Sequence, residues 1–104
     1  MAKLYLKLEN ENGQVKEFKK EKIKAYWVKR CLQHSKKIQE LEAEGKYDEL
    51  VDERVNFTCE IFGDKELTPE LIYNGLESDE LIQTLTDILN ITAGNKPADG
   101  EPGK

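Results

Sequence analysis

Between Tyr47 and Phe62 the apolar positions do not form a narrow helical stripe but wrap widely round the axis. At about 100° per residue, Leu50, Val51, Val55, Phe57, Ile61 and Phe62, joined by Tyr47 and Cys59, cover an arc of roughly 200°. Asp48, Glu49, Asp52, Glu53, Asn56 and Glu60 hold most of the remainder. A helix with that pattern meets water on one side and needs partners on two neighbouring faces. At ~1.5–3 kcal/mol for each large apolar side chain fully buried, it supplies much of the core energy and belongs at the centre of the fold. Gly63 follows the last apolar position, where a left-handed residue ends a helix without a Cβ penalty.

Upstream the period changes. Leu4, Leu6 and Leu8 alternate with Lys3, Tyr5 and Lys7, the pattern of a strand with one apolar face. Asn12-Gly13 suits a tight hairpin turn. Gln14 to Phe18 returns as a second strand whose Val15 and Phe18 fall on opposite faces, so the strand is bulged or one of the two is exposed. A two-stranded hairpin is marginal by itself, and its leucine face is expected to lie on the helices. From about Lys20 to Ala43, Ile23, Trp27, Cys31, His34, Ile38 and Leu41 step by three and four within roughly 80°, the core stripe of a first helix. A weaker ridge of Ala25, Val28 and Leu32, flanked by Ser35 and Gln39, lies about 100° round from it. That ridge packs on the hairpin, the simpler expectation, or is left for another molecule. Gly45 and Lys46 break the pattern and predict an antiparallel pair of helices.

Beyond Gly63 the signals are local. Thr68 can accept from first-turn amides, Pro69 fits the first helical position, and Glu70 complements the helix dipole. The short helix through Leu71, Ile72 and Tyr73 is ended by Asn74 and Gly75. Ser78 is expected to cap a last helix with Asp79 and Glu80 in its first turn. Leu81, Ile82, Leu85, Ile88 and Leu89 are its buried face, and Gly94 closes it. The fold expected is mainly α (α+β): an N-terminal β-hairpin followed by a bundle of about four helices. Residues 1–93 form one helical domain with that hairpin. Residues 94–104, with Pro97, Gly100, Pro102 and Gly103, have nothing to bury and are expected to be a disordered C-terminal tail.

Composition narrows the function classes. Charged residues are 36% of the chain, against about 25% in average domains, which favours a well-solvated helical protein. No apolar run approaches the ~20 residues of a membrane span, and charges stand where a signal peptide needs its apolar region. A soluble intracellular protein with no membrane partner is expected. Residues 1–37 carry eleven Lys/Arg and four Glu, whereas residues 38–104 carry five Lys/Arg and seventeen Asp/Glu. The basic half either holds nucleic acid or pairs with the acidic half, within one fold or between subunits. Glu17 and Glu21 interrupt the lysines, and no glycine-rich loop or basic-aromatic strand motif accompanies them. Pairing is therefore preferred, with a small regulator contacting nucleic acid through this half as the alternative. Cys31 and Cys59 lack CxxC or metal spacing and read as buried reduced thiols. His34, alone on the apolar stripe, reads as a packing residue. The carboxylates of Asp48, Asp52 and Glu60 fall on solvent-facing helix positions. With no Ser-His-Asp order, phosphate loop or metal-ligand cluster, neither an enzyme nor a cofactor is expected.

A second kind of signal is the order of short motifs. Phe62-Gly63 closes an acidic helix; Leu67-Thr68-Pro69-Glu70 and Tyr73-Asn74-Gly75-Leu76 follow; Ser78-Asp79-Glu80-Leu81 then leads into Leu85, Asp87, Ile88 and Leu89. This order resembles the tail assembly chaperones of long-tailed bacteriophages. The leading hairpin, the Lys-rich first helix and the acidic second helix match in order and length, so the likeness extends over residues 3 to about 92.

The resemblance implies a binding function. Chaperones of this family hold the tape-measure protein, a very long helical chain with apolar stretches, soluble in the host cytoplasm. They help recruit the major tail protein as the tube polymerises, and are not expected in the mature virion. In many members a programmed −1 ribosomal frameshift near the end of the reading frame yields a longer protein whose added domain binds the major tail protein. Gly103-Lys104 is what a slippery run of guanines and adenines encodes. The family has no single functional side chain to transfer. Val28, Leu32 and Tyr73, apolar residues beside the main stripes, are the candidate partner contacts, and the opposed charges of the two halves would suit head-to-tail self-association.

Overall fold

The wide apolar arc of α2 (Tyr47–Phe62) is met from several sides. In the computed structural model, which describes residues 3–94, α2 packs against α1 (Tyr26–Ala43), α3 (Pro69–Gly75) and α4 (Leu81–Thr92). An antiparallel hairpin of β1 (Leu4–Glu9) and β2 (Val15–Lys20) precedes the helices. Val55, Phe57, Ile61 and Phe62 are buried on α2, and one core cluster takes side chains from every element. Tyr47, in the first turn of α2, is exposed instead. Thr58 is buried, its Oγ1 donating to the Arg54 carbonyl at 3.0 Å. A hydroxyl satisfied by its own helix fills a place that hydropathy passes over.

The hairpin register decides between the two readings of β2. Leu4 pairs with Lys20, Leu6 with Phe18 and Leu8 with Lys16 in unbroken alternation. The three leucines and Phe18 therefore share the buried face, while Val15 is exposed on the other. The turn differs from the expected Asn-Gly pair. The Gly13 N–H donates to the Asn10 carbonyl at 3.0 Å and the Asn10 N–H to the Gln14 carbonyl at 2.9 Å. Only Gly13, not Asn12, has positive φ, so the loop has three residues closed by a left-handed glycine. The Asn10 side-chain oxygen accepts from the amides of Asn12 and Gln14, both at 2.9 Å, and holds it.

The start of α1 at Tyr26 is later than its periodicity suggests. Lys20 is still paired to Leu4, so the chain needs the following residues to leave the sheet, and Ile23 reaches the core from that link. Trp27 meets Phe57, Arg30 meets Glu60 and His34 meets Glu53. The first half of α1 thus lies along the second half of α2, the antiparallel pair expected from Gly45. The hairpin packs on α2, α3 and α4.

The Thr68 hydroxyl accepts from the Leu71 N–H at 3.2 Å, with Pro69 opening α3. Thr68→Ala should cost about 1 kcal/mol, seen as a lower urea midpoint with unchanged slope. Ser78 does not cap α4. Residues 78–80 form a turn in which the Glu80 carboxylate accepts from the Glu77 N–H at 3.1 Å, and α4 begins at Leu81 without a side-chain cap. Leu85, Ile88 and Thr92 are its buried residues, and Ile82, at the margin of the arc, is exposed. The Thr92 hydroxyl donates to the Ile88 carbonyl at 2.7 Å. The expected disorder of the tail, residues 95–104, lies outside the described residues.

One contact joins α3 to the hairpin through bare backbone. A Cβ on Gly75 would sit 2.7 Å from the Leu8 Cβ and 3.3 Å from its Cα. The end of α3 rests directly on β1, which gives the Asn74-Gly75 pair a packing reason.

Candidate functional site

Val28 and Leu32 sit one turn apart on α1, on the flank away from the buried Cys31, His34 and Leu41. Since the hairpin is spread over α2, α3 and α4, it does not cover this ridge. Leu32 is 69% exposed and Val28 40%, so the expectation that the hairpin would bury them is overturned. The cause is the leucine face of β1, which already has its partners in the other helices. Ser35 and Gln39 extend the uncharged ridge at helical spacing, with Lys29 and Lys36 along its border.

Tyr73 stands elsewhere. Its hydroxyl donates to the Asp52 carboxylate, tying α3 to α2, and burial together with that bond pushes its pKa up to about 12. The ring remains 40% exposed. On α2, Asp52 reaches towards α3, whereas Glu53 and Glu60 reach towards α1. With α2 between them, Tyr73 and the Val28–Leu32 ridge are two surfaces rather than one site.

The charge asymmetry is partly consumed inside the fold. Arg30 Nη2 lies 2.5 Å from Glu60 Oε1, and Lys16 Nζ 2.9 Å from Glu66 Oε1, each joining the basic half to the acidic half. The Arg30 guanidinium also stands 5.3 Å above the Phe57 ring, and Lys20 Nζ 5.9 Å from that of Trp27. Exposed pairs of this kind contribute ~0–1 kcal/mol each; Arg30–Glu60 joins α1 to α2, and Lys16–Glu66 joins β2 to the link between α2 and α3. Asp52 and Glu60 are exposed, as their spacing predicts, and each also reaches a neighbouring helix from the surface.

His34 is buried and stacked on Phe57, with ring centroids 4.2 Å apart and planes at 13°. Its Nδ1 lies 3.3 Å from Glu53 Oε2. Desolvation lowers its pKa, with Arg54 and Arg30 acting in the same direction and Glu53 opposing. Neutral at neutral pH, Nδ1 can donate its proton to Glu53. As pH falls the unfolded chain takes up this proton first, so stability is complete above the free value of about 6.5 and is lost as pH falls from there through the lowered folded value. Urea midpoints at about pH 7.5 and about pH 5.5 should show that drop, and His34→Phe, which has no proton to bind, should show less of it.

A groove that hydropathy does not reveal opens between the hairpin tip and α3. Leu8, Gln14, Val15, Leu71, Asn74 and Gly75 line its volume of about 500 Å³. Its only trace in the sequence is the Asn74-Gly75 pair.

A family model described as "Phage tail chaperone protein" matches residues 1–104. The chain belongs to the phage tail chaperone family. No curated protein and no solved structure matches it. The family match extends over the hairpin, all four helices and the motif order of residues 61–89 that carried the resemblance.

Cys31 is buried and Cys59 half-buried, both are free thiols, and burial pushes both pKa values up, away from nucleophilic thiolate. Among the described residues no group of three His, Cys, Asp or Glu can hold a metal ion, and no helix is long and apolar enough to cross a membrane.

Proposed function

We propose that this tail chaperone binds the tape-measure protein, keeps that long chain soluble in the host cytoplasm, and helps recruit the major tail protein during tube assembly. It acts by binding alone and stays out of the finished virion. The observation that carries this reading is the uncovered ridge of Val28 and Leu32 on α1. An apolar pair one turn apart, bordered by lysines, is a surface on which an amphipathic helix can lie. Many copies along one long client would gain by avidity. Recruitment of the major tail protein is assigned to a frameshift-extended form, and a slip site in the codons for Gly103-Lys104 is the corresponding expectation.

The test is co-expression with the tape-measure protein of the same genome, followed by pull-down at low and high salt with the soluble fraction recorded. Retention of the long chain in solution, in a complex that survives high salt, is the expected result. A client that precipitates regardless would remove the proposal. Binding through the lysines to nucleic acid would instead weaken steeply with ionic strength.

A further inference from the structure

The hairpin leaves one edge open inside a walled groove. Because the Asn10 N–H bonds the Gln14 carbonyl, antiparallel alternation makes Leu8–Lys16, Leu6–Phe18 and Leu4–Lys20 the pairs that exchange backbone bonds. The N–H and C=O groups of Tyr5, Lys7 and Glu9 then point away from β2. Among the described residues no loop, helix or side chain hydrogen-bonds to them.

Two clefts follow that edge. One, of about 410 Å³, lies between Tyr5 and Lys7 of β1 and Thr84, Asp87, Ile88 and Ile91 of α4. The other, of about 440 Å³, lies between Lys7 and Glu9 on one side and Gly75, Glu77 and Glu80 on the other. Neither is lined by β2, and both are lined by Lys7 and Glu80, so they form one groove outside β1. Leu76 and Ile91, both half-buried, give it apolar surface, and its far wall carries Glu77, Glu80 and Asp87. No ion pair among the described residues uses these three carboxylates.

We propose that this groove takes an extended, basic peptide segment of a partner protein as a third strand. Its backbone pairs with Tyr5, Lys7 and Glu9, its apolar side chains meet Leu76 and Ile91, and its lysines or arginines meet Glu77, Glu80 and Asp87. At ~3.4 Å per residue the edge accommodates about five residues. The turn at residues 77–80 and α4 stand where a further strand would lie. The groove therefore admits a lone strand and not the edge of a folded sheet, which excludes β2 of a second copy. This surface is independent of the α1 ridge.

The test is fluorescence anisotropy of a labelled peptide of alternating valine and lysine, titrated with the full chain. Saturable binding is expected, weakened on the order of tenfold or more when the peptide backbone is N-methylated or its lysines are replaced by glutamate. The Glu77→Lys/Asp87→Lys variant should reverse the preference, losing the valine-lysine peptide and gaining the valine-glutamate one, which a misfolded variant does not do. Equal binding of the N-methylated peptide would overturn strand addition, and an unchanged charge preference would overturn the role of the carboxylates. Release of monomers from a self-assembled chaperone by the peptide, seen in sedimentation, would assign the groove to a second copy and overturn the proposal.

Discussion

Gly75→Ala lowers stability by roughly 1–3 kcal/mol, although alanine is the better helix former by ~1 kcal/mol. The new methyl would meet Leu8 Cβ at 2.7 Å. That atom is fixed to the strand backbone, so no rotamer change relieves the clash, and α3 must lift away from β1. Ile72, wholly buried on α3, would lose contacts in the same movement. Gly75→Val should cost more, since its branches enter the same space. Urea unfolding is the measurement. A Gly75→Ala variant as stable as the parent would mean that α3 and β1 are not in tight contact.

Val28→Glu/Leu32→Glu should leave the fold within about 1 kcal/mol of the parent, because Leu32 is mostly in water already and Val28, at 40% exposure, lies on the surface rather than in the core. Its effect falls on the client. Each large apolar side chain buried at an interface contributes ~1.5–3 kcal/mol, so losing two weakens capture by roughly a hundredfold or more. In co-expression the tape-measure chain should move from the soluble to the insoluble fraction while the chaperone itself remains soluble with an unchanged melting curve. The paired measurement matters: loss of client with a lowered melting temperature would point to misfolding, whereas full retention of the client would clear the α1 ridge of the role proposed for it. A parallel titration of the valine-lysine peptide should be unaffected, since that groove lies outside β1.

Sequence by itself determined the elements and the centre of the fold. The apolar arc of Tyr47 to Phe62, the alternation of Leu4, Leu6 and Leu8, and the Thr68-Pro69 start each depend on local spacing or a local hydrogen bond, and each is found where it was read. Family membership was legible for the same reason, since the motif order is made largely of turn, cap and core residues. Local pattern failed where two chemically suitable outcomes competed. Asn12-Gly13 fits a two-residue turn, but the side chain of Asn10 stabilises the longer loop. Ser78 is a good cap, but the Glu80 N–H donates to the Glu77 carbonyl in a turn over residues 78–80, and α4 begins only at Leu81.

Only the tertiary structure decided which apolar surface was left over. Val28 and Leu32 are no less hydrophobic than the residues buried beside them. They remain exposed because the leucine face of the hairpin is satisfied by α2, α3 and α4, a fact about partners that no single helix encodes. The same holds for the partners of Asp52, Glu53 and Glu60: spacing rightly puts Asp52 and Glu60 at the surface, while Tyr73, His34 and Arg30 arrive from helices distant in sequence. It holds as well for the open edge of β1, visible once α4 and the turn at residues 77–80 stand beside it. Spacing along one chain sets which side chains share a face; what that face meets depends on how long-range packing divides a limited set of partners among several apolar surfaces.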